Sequence, residues 1–369
     1  MSALVTGLSA LRTGLSTPRT GRRAAMVPVL ALLAAGALTL GAAPAADRTG
    51  PVPTHGPSVE VPATPIAPIT PVAPVTPVRP EPVTRPWRSP YRGSVAAQGP
   101  VIAVKFDNSR RARPHHNLDQ ADIVYVEKVE GGMSRLMGVY SSRIPRSIGP
   151  VRSARESDVE LLRQFGRPAL AYSGVRSALR EYLENSPIHI RPHHELPGAY
   201  FREPGRSAPH NLFVNPAAVL DSAPRASQAH DIGFRFGAAP PRGGTPTASR
   251  TVRYRAASHT FRWSPVQQRW HISFDGEPAR LTTGGQLSAR TIVIQKVHMP
   301  PSQYRDVNGA PTPYIKTVGE GRATVLRDGR AYETTWRRPD AQSGTTFTLN
   351  DGRRMPFATG QVWIVYEDA

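Results

Sequence analysis

Arg152 and Arg155 stand in the segment SIGPVRSARE, residues 147–156, immediately before the helix-like run SDVELLRQF. A helix N-terminus already presents unpaired N–H groups and about half a positive charge. Two guanidinium groups placed there need an anion beside them. Two capping signals, Ser153–Glu156 and Ser157–Glu160, fit the Ser-x-x-Glu pattern, and Ser153 is one candidate cap. With that cap, an incoming carboxylate or phosphate would meet forked guanidinium contacts and free amides together. The alternative anion is internal: Glu127 or Glu130, on a nearby strand, can neutralise the arginines as a buried ion pair. Spacing leaves both open.

The neighbouring pattern supplies more polar groups. PVIAVKFDN reads as a buried strand ending in Asp107 and Asn108. ADIVYVEKVEGG is a second strand, with Val124, Val126 and Lys128 on one face and Ile123, Tyr125, Glu127 and Val129 on the other. Glu130 precedes the Gly131-Gly132 turn, and Arg135 begins the returning strand SRLMGVYSS. A helix is expected over 154–166, with Val159, Leu162 and Phe165 on one face and Gly166 closing it. PALAYSG is a strand and VRSALREYLEN a helix. His210 and Asn211 lead into NLFVNPAAVLDSA, a strand then a helix capped by Asn215 with Pro216 at its first position. Such polar residues are costly to bury unpaired. They are expected to converge in one cleft at the strand ends; a structural ion-pair network would use the same residue types.

Several chemistries find no footing. Gly-x-Ser-x-Gly, Ser-x-x-Lys and P-loop motifs are missing, and Gly319-Glu320-Gly321 lacks the strand-turn-helix continuation of a dinucleotide site. Glu127 and Glu130 could share acid/base work as in glycosidases, but a spacing of three puts them on opposite strand faces unless Glu130 is already in the turn. His189 and His193, followed by His194-Glu195, are four apart, yet Pro187 and Pro192 oppose a helix there. His115 and His116 sit in a Pro-containing loop expected to face solvent. Asp107, Glu130 and His210 are the oxygen/nitrogen set to test for a metal; no metal ligand and no cofactor is assigned. The two Asp-Gly pairs lack the acidic ladder of calcium loops. Trp263, Trp270, Trp336 and Trp363 could stack on sugar, though their hairpin positions suit core packing.

Across the whole chain, 46 Lys+Arg against 27 Asp+Glu give a net charge of +19. Only four of the cations are lysines, and no nucleic-acid motif accompanies them, so the charge fits a wall or membrane surface and no nucleic acid is expected. There is no cysteine, hence no thiol nucleophile, disulfide or lipidated Cys anchor. Arg12, Arg19, Arg22 and Arg23 precede an uncharged run, Ala24 to Ala46, so 1–46 reads as a signal peptide or signal anchor, membrane-bound if uncleaved. Residues 47–92 form a Pro-rich, disordered linker that, as polyproline II, would reach on the order of 140 Å. An α/β domain with the polar cleft follows over 93–236. A Gly/Pro/Ala linker occupies 237–249, and a β-rich domain of hairpins, turning on Asp328-Gly329 and Asp351-Gly352, fills 250–369. The expected fold class is α+β: a mixed α/β N-terminal domain followed by a β-rich C-terminal domain.

The block AVKFDNSRRARPHHNLDQADIVYVEKVEGGMSRLMGVYSSRIPRSIGPVRSARE, with RSAPHNLFVN downstream and GEGRATVLRDG and GQVWIVYED near the end, resembles the YerB-like family of bacterial lipoproteins. That family pairs an N- and a C-terminal domain of unknown function. The resemblance spans residues 97 to 368 and implies an exported, membrane-associated, two-domain protein, with no established reaction or substrate. Matching positions include Asp107, Asn108, Arg113, Glu127, Glu130, Arg135, the run Ile148 to Arg155, and Ala208 to Leu212. Two departures stand out. No Cys is present for lipidation, and the family's HAGG-like segment is Ala171-Tyr172-Ser173-Gly174 here, without its His.

Three functions follow as expectations. The first is an extracytoplasmic envelope protein that binds an anionic wall component or a peptide, or docks an envelope protein, through Arg135, Arg152 and Arg155. The ligand set would be Asp107, Asn108, Arg113, Glu127, Glu130, Arg135, Arg152, Ser153, Arg155, His210 and Asn211. The second is a hydrolase or transferase of envelope glycan or phosphate polymer, with Asp107, Glu130 and His210 as acid/base groups. The third is a structural assembly partner.

Overall fold

Three runs with apolar residues on both faces make the centre of the molecule: β1 (Ile102–Asp107), β2 (Ile123–Lys128) and β3 (Ser134–Tyr140). β3 lies between the other two and pairs antiparallel with each. β4 (Ala169–Tyr172) joins β1 in parallel and β5 (His189–Pro192) joins β4. Three short helices lie among these strands and after them: α1 (Ser157–Leu162), α2 (Ser177–Glu184) and α3 (Pro216–Asp221). The structure is a computed structural model and describes residues 86–369 except Val307. The expected signal segment 1–46 and most of the Pro-rich stretch 47–92 lie outside the described residues.

The far side of β2 is filled from the C-terminus. The last strand, Val362–Asp368, runs parallel to β2 on one edge and to Thr291–Val297 on the other. Gly319–Arg327, Arg330–Arg338 and Thr346–Leu349 extend the sheet outward, so one sheet of eleven strands crosses the described molecule. A strand so placed is buried on both faces, which suits the unbroken apolar run Val362 to Tyr366. On one face of the sheet Ala103, Tyr125, Met137 and Val293 pack with Val159, Leu162 and Phe165. On the other, Val104, Phe106, Val126 and Trp363 pack with Val252, Phe261, Trp270 and Phe274 of a second, five-stranded sheet. The fold is rich in sheet and poor in helix.

Local expectations fare unevenly. Asn215 caps α3, its side chain accepting from the Ala217 and Ala218 N–H groups at 3.1 and 3.4 Å. Asp328 and Gly329 turn the long hairpin with φ of 49° and 71°, a conformation glycine adopts freely. The helix expected over 154–166 is shorter. α1 starts at Ser157 and gives way to a 3-10 turn at Arg163–Phe165, so Ser153 does not cap it. Asp158 competes successfully for the local amide: its Oδ2 accepts the Arg155 N–H at 2.8 Å. The segment around Asp351-Gly352 reverses as far as Arg354, but the final strand leaves that hairpin for the sheet centre.

Candidate functional site

Strand register sets the first group. Arg135 on β3 is paired with Glu127 on β2 and with Asp107 on β1, so the three side chains form one row across one face of the sheet. Asp107 is fully buried. Its Oδ1 accepts the Ser109 N–H at 3.0 Å, and its Oδ2 meets His210 Nδ1 at 2.8 Å and Arg152 Nε at 3.4 Å. Burial pushes this carboxyl up, but Arg135, the Ser109 amide, His210 and Arg152 outweigh it and hold Asp107 below the ordinary carboxylate value. Arg135 is served less well. It is 7% exposed, and only its Nη1 finds acceptors, the Ser134 carbonyl at 3.1 Å and Asp107 Oδ1 at 3.8 Å. Its Nε–H has no partner. Desolvation, relieved only in part by Asp107, brings this guanidinium down to about 10.

Glu127 turns away from that arginine toward two residues the sequence reading passed over. Lys105 Nζ contacts Glu127 Oε2 and lies 2.9 Å from Asp158 Oδ1, with all three side chains buried. Glu127 Oε1 is left without a donor. Burial raises the Glu127 carboxyl to about 7, with Lys105 pulling it back and Asp158 pushing it further. A lysine inside the apolar run IAVKFD was the available signal, since a charge at such a position requires a partner.

The arginines at the helix entrance meet different fates. Arg155 is closed by Glu130 in a two-pronged pair, Nε to Oε1 and Nη2 to Oε2, both 2.7 Å, and Thr312 Oγ1 donates to Oε1 at 2.5 Å. These contacts overcome the burial of Glu130 and lower its carboxyl. The start of α1 is likewise filled by the chain itself. Ser157 Oγ accepts the Ile315 N–H at 2.8 Å, and Glu160 accepts the Tyr314 hydroxyl and the Thr317 amide, each at 2.8 Å. The anion at Arg155 is therefore internal, and an outside carboxylate or phosphate held on the helix end is corrected. Arg152 touches only Asp107 and keeps 27% of its side chain exposed. Ser153 contributes a carbonyl to Arg155 and no side-chain bond.

The expected residues thus divide: Asn108, Arg113 and Arg135 line one cavity, and the others do not. Asn108 and Arg113 pair with each other, Asn108 Oδ1 accepting from Arg113 Nε at 3.2 Å, while Asn108 Nδ2 donates to Ser134 Oγ at 2.9 Å. Asn211 pins a loop through the Arg206 carbonyl and Arg202 Nη1, at 3.0 and 2.7 Å. Glu130 does lie in the turn after β2, yet it and Glu127 serve different cations and do not face one another as an acid/base pair. Glu130 makes no hydrogen bond or ion pair with Asp107 or His210. Among the described residues no group of three or more His, Cys, Asp or Glu could hold a metal. His115 is buried rather than solvent-facing. Its Nε2 meets the Asp107 carbonyl at 2.9 Å, and burial lowers it to about 4. Trp270, Trp336 and Trp363 are core residues, and Trp263 pairs across strands with Trp270.

A cavity of about 530 Å³ opens beside the row. Arg110, Arg113, Arg135, Arg253 and Arg255 line it, against the single carboxylate of Asp275. Arg113 takes that carboxylate at 2.9 Å and lies 4.8 Å from the centre of the Phe274 ring. A second cavity of about 400 Å³ shares Arg110 and Arg113. Arg253 comes from a strand of the five-stranded sheet and Arg255 from the turn that follows it, more than a hundred residues downstream of Arg135. Spacing could not bring them together.

Residues 89–230 match the N-terminal domain, and residues 250–364 the C-terminal domain, of a family described as "Protein of unknown function (DUF3048)". The chain belongs to this family. It is 23% identical over 278 residues to a Bacillus subtilis protein whose name reads "Putative lipoprotein YerB", covering 71% of this chain and 80% of that protein. The crystal structure of the YerB protein from Bacillus subtilis is similar in fold. Its TM-score is 0.64 at 21% identity, over 77% of this chain and 97% of that one. Among the described residues no helix is long and apolar enough to cross a membrane.

Proposed function

We propose that this protein is an extracytoplasmic envelope protein that binds an anionic wall polymer in the cavity around Arg135. One observation carries the reading. Arg135 is nearly buried, has an unpartnered Nε–H and meets its nearest carboxylate only at 3.8 Å, in a wall with four further arginines. A buried guanidinium left short of acceptors is costly unless a ligand completes it. Arginines gathered in one wall attract phosphate or carboxylate, and a guanidinium with free N–H groups holds it by forked hydrogen bonds. The cavity size suits one or two repeat units of such a polymer. Envelope association draws on the basic leader and apolar run of 1–46 and on the printed name of the Bacillus subtilis relative. Without a Cys, the tether would be the uncleaved N-terminal segment, or the protein would be released. An N-terminal α/β domain and a β-rich C-terminal domain would share the site, since Arg135 and Arg253 come from the two family segments.

Calorimetric titration with a glycerol-phosphate oligomer tests this. Arg135→Gln is expected to weaken binding by about tenfold or more. Arg253→Gln with Arg255→Gln should flatten the salt dependence of affinity. Equal affinity in Arg135→Gln and the unaltered protein, with both folded, refutes the site.

A further inference from the structure

His210 sits on Asp107 in a way that fixes its chemistry. Asp107 is fully buried and its Oδ2 lies 2.8 Å from Nδ1 of the ring. An ionised carboxylate only accepts, so Nδ1 carries the hydrogen, and in the neutral ring Nε2 is the nitrogen with the lone pair. Nε2 has no partner within the protein and is not among the buried unpaired atoms, so solvent reaches it. Arg152 Nε shares Asp107 Oδ2 at 3.4 Å and leaves its terminal nitrogens unengaged. Ser109 Oγ lies 3.2 Å from Nδ1, on the wrong side of the ring to be the group that Nε2 deprotonates. Ser109 and Arg135, both in contact with Asp107, line the arginine cavity; His210 lies behind them, one contact away through Ser109 and Asp107.

We propose that the Asp107–His210 pair is an acid–base dyad that hydrolyses a phosphodiester of the anionic polymer, a step that rests on the binding reading for its substrate. Water attacks phosphorus and passes its proton to His210 Nε2. A new P–O bond forms as the bond to the polyol breaks on the opposite side of phosphorus, where the departing alkoxide takes a proton from solvent, and Nε2 returns its own to solvent. Water is added across one P–O bond, with no change of oxidation state. Arg152 and Arg135 stand where charge builds on the phosphoryl oxygens. Asp107 is a positioning residue: it holds the tautomer and supports the imidazolium that forms.

The test uses the full chain with bis(p-nitrophenyl) phosphate and with the glycerol-phosphate oligomer. Nitrophenolate release and oligomer shortening by mass spectrometry are both expected. His210→Gln should lower turnover about 100-fold or more with oligomer affinity unchanged. Arg152→Gln, on a part-buried side chain, should lower kcat more than it raises KM. Asp107→Asn should shift the pH profile and the ring tautomer seen by nitrogen NMR. Binding without product in the unaltered protein overturns the dyad and leaves the binding reading standing. Turnover unchanged in His210→Gln overturns it too. Neither binding nor product refutes both readings together.

Discussion

Replacing Glu127 by Gln should make the protein more stable at neutral and alkaline pH, although it removes a charge from a buried ion pair. Glu127 faces Lys105 and, through it, Asp158, while its own Oε1 has no donor. One lysine cannot neutralise two buried carboxylates, and desolvation lifts Glu127 from 4.5 to about 7. The folded state therefore binds this proton more tightly than the unfolded chain. Stability from this group is complete below about pH 4.5 and is lost as pH rises toward about 7. At roughly 1.36 kcal/mol per pH unit, the loss is about 3 kcal/mol. Gln mimics the protonated acid and carries no such penalty. Urea unfolding of both proteins, followed by tryptophan fluorescence at about pH 5, 6, 7 and 8, gives the difference at each pH, and other titrations cancel. The two curves should lie within about 1 kcal/mol of each other at about pH 5 and differ by about 3 kcal/mol in favour of Glu127→Gln at about pH 8. A constant difference, or a variant that becomes the weaker partner as pH rises, refutes the account. Lys105→Met is the complement: with both carboxylates stranded, it should cost about 3–5 kcal/mol, more at pH 8 than at pH 5.

The Arg155–Glu130 pair should behave in the opposite sense. Arg155→Met leaves Glu130 with only the Thr312 hydroxyl and is expected to cost about 3 kcal/mol near neutral pH. Because the folded Glu130 carboxyl is lowered, that cost should shrink as acid protonates it, which chemical denaturation at two pH values can read. Gly329→Ala adds a Cβ at φ 71° and 2.8 Å from Trp263 Nε1; a loss of about 1 kcal/mol or more is expected in thermal melts. Deleting Val362–Asp368 removes the strand between β2 and Thr291–Val297, so both flanking segments should lose hydrogen-exchange protection together. Independent survival of either one would refute the shared sheet.

Much of the local structure was decided by short-range chemistry. Strict alternation along ADIVYVEK put Glu127 on the Tyr125 face, Asn-Pro set the start of α3, and Asp-Gly set the long hairpin turn, each a matter of a few neighbouring residues. The apolar runs of β1 and of Val362 to Tyr366 likewise announce strands buried on both faces. What sequence could not decide was partnership. Whether Arg155 meets an outside anion or Glu130 depends on the fold of a turn after β2. Whether Ser153 caps a helix depends on Asp158, Ile315 and Thr317 reaching the same place first. The arginine cavity draws Arg135 from one strand and Arg253 and Arg255 from a strand and its turn laid against it much later in the chain. Charge pairing acts over a few ångströms in space and is blind to distance along the chain. The residue types that a ligand would need were thus written in the sequence, and tertiary packing alone determined which of them were already neutralised.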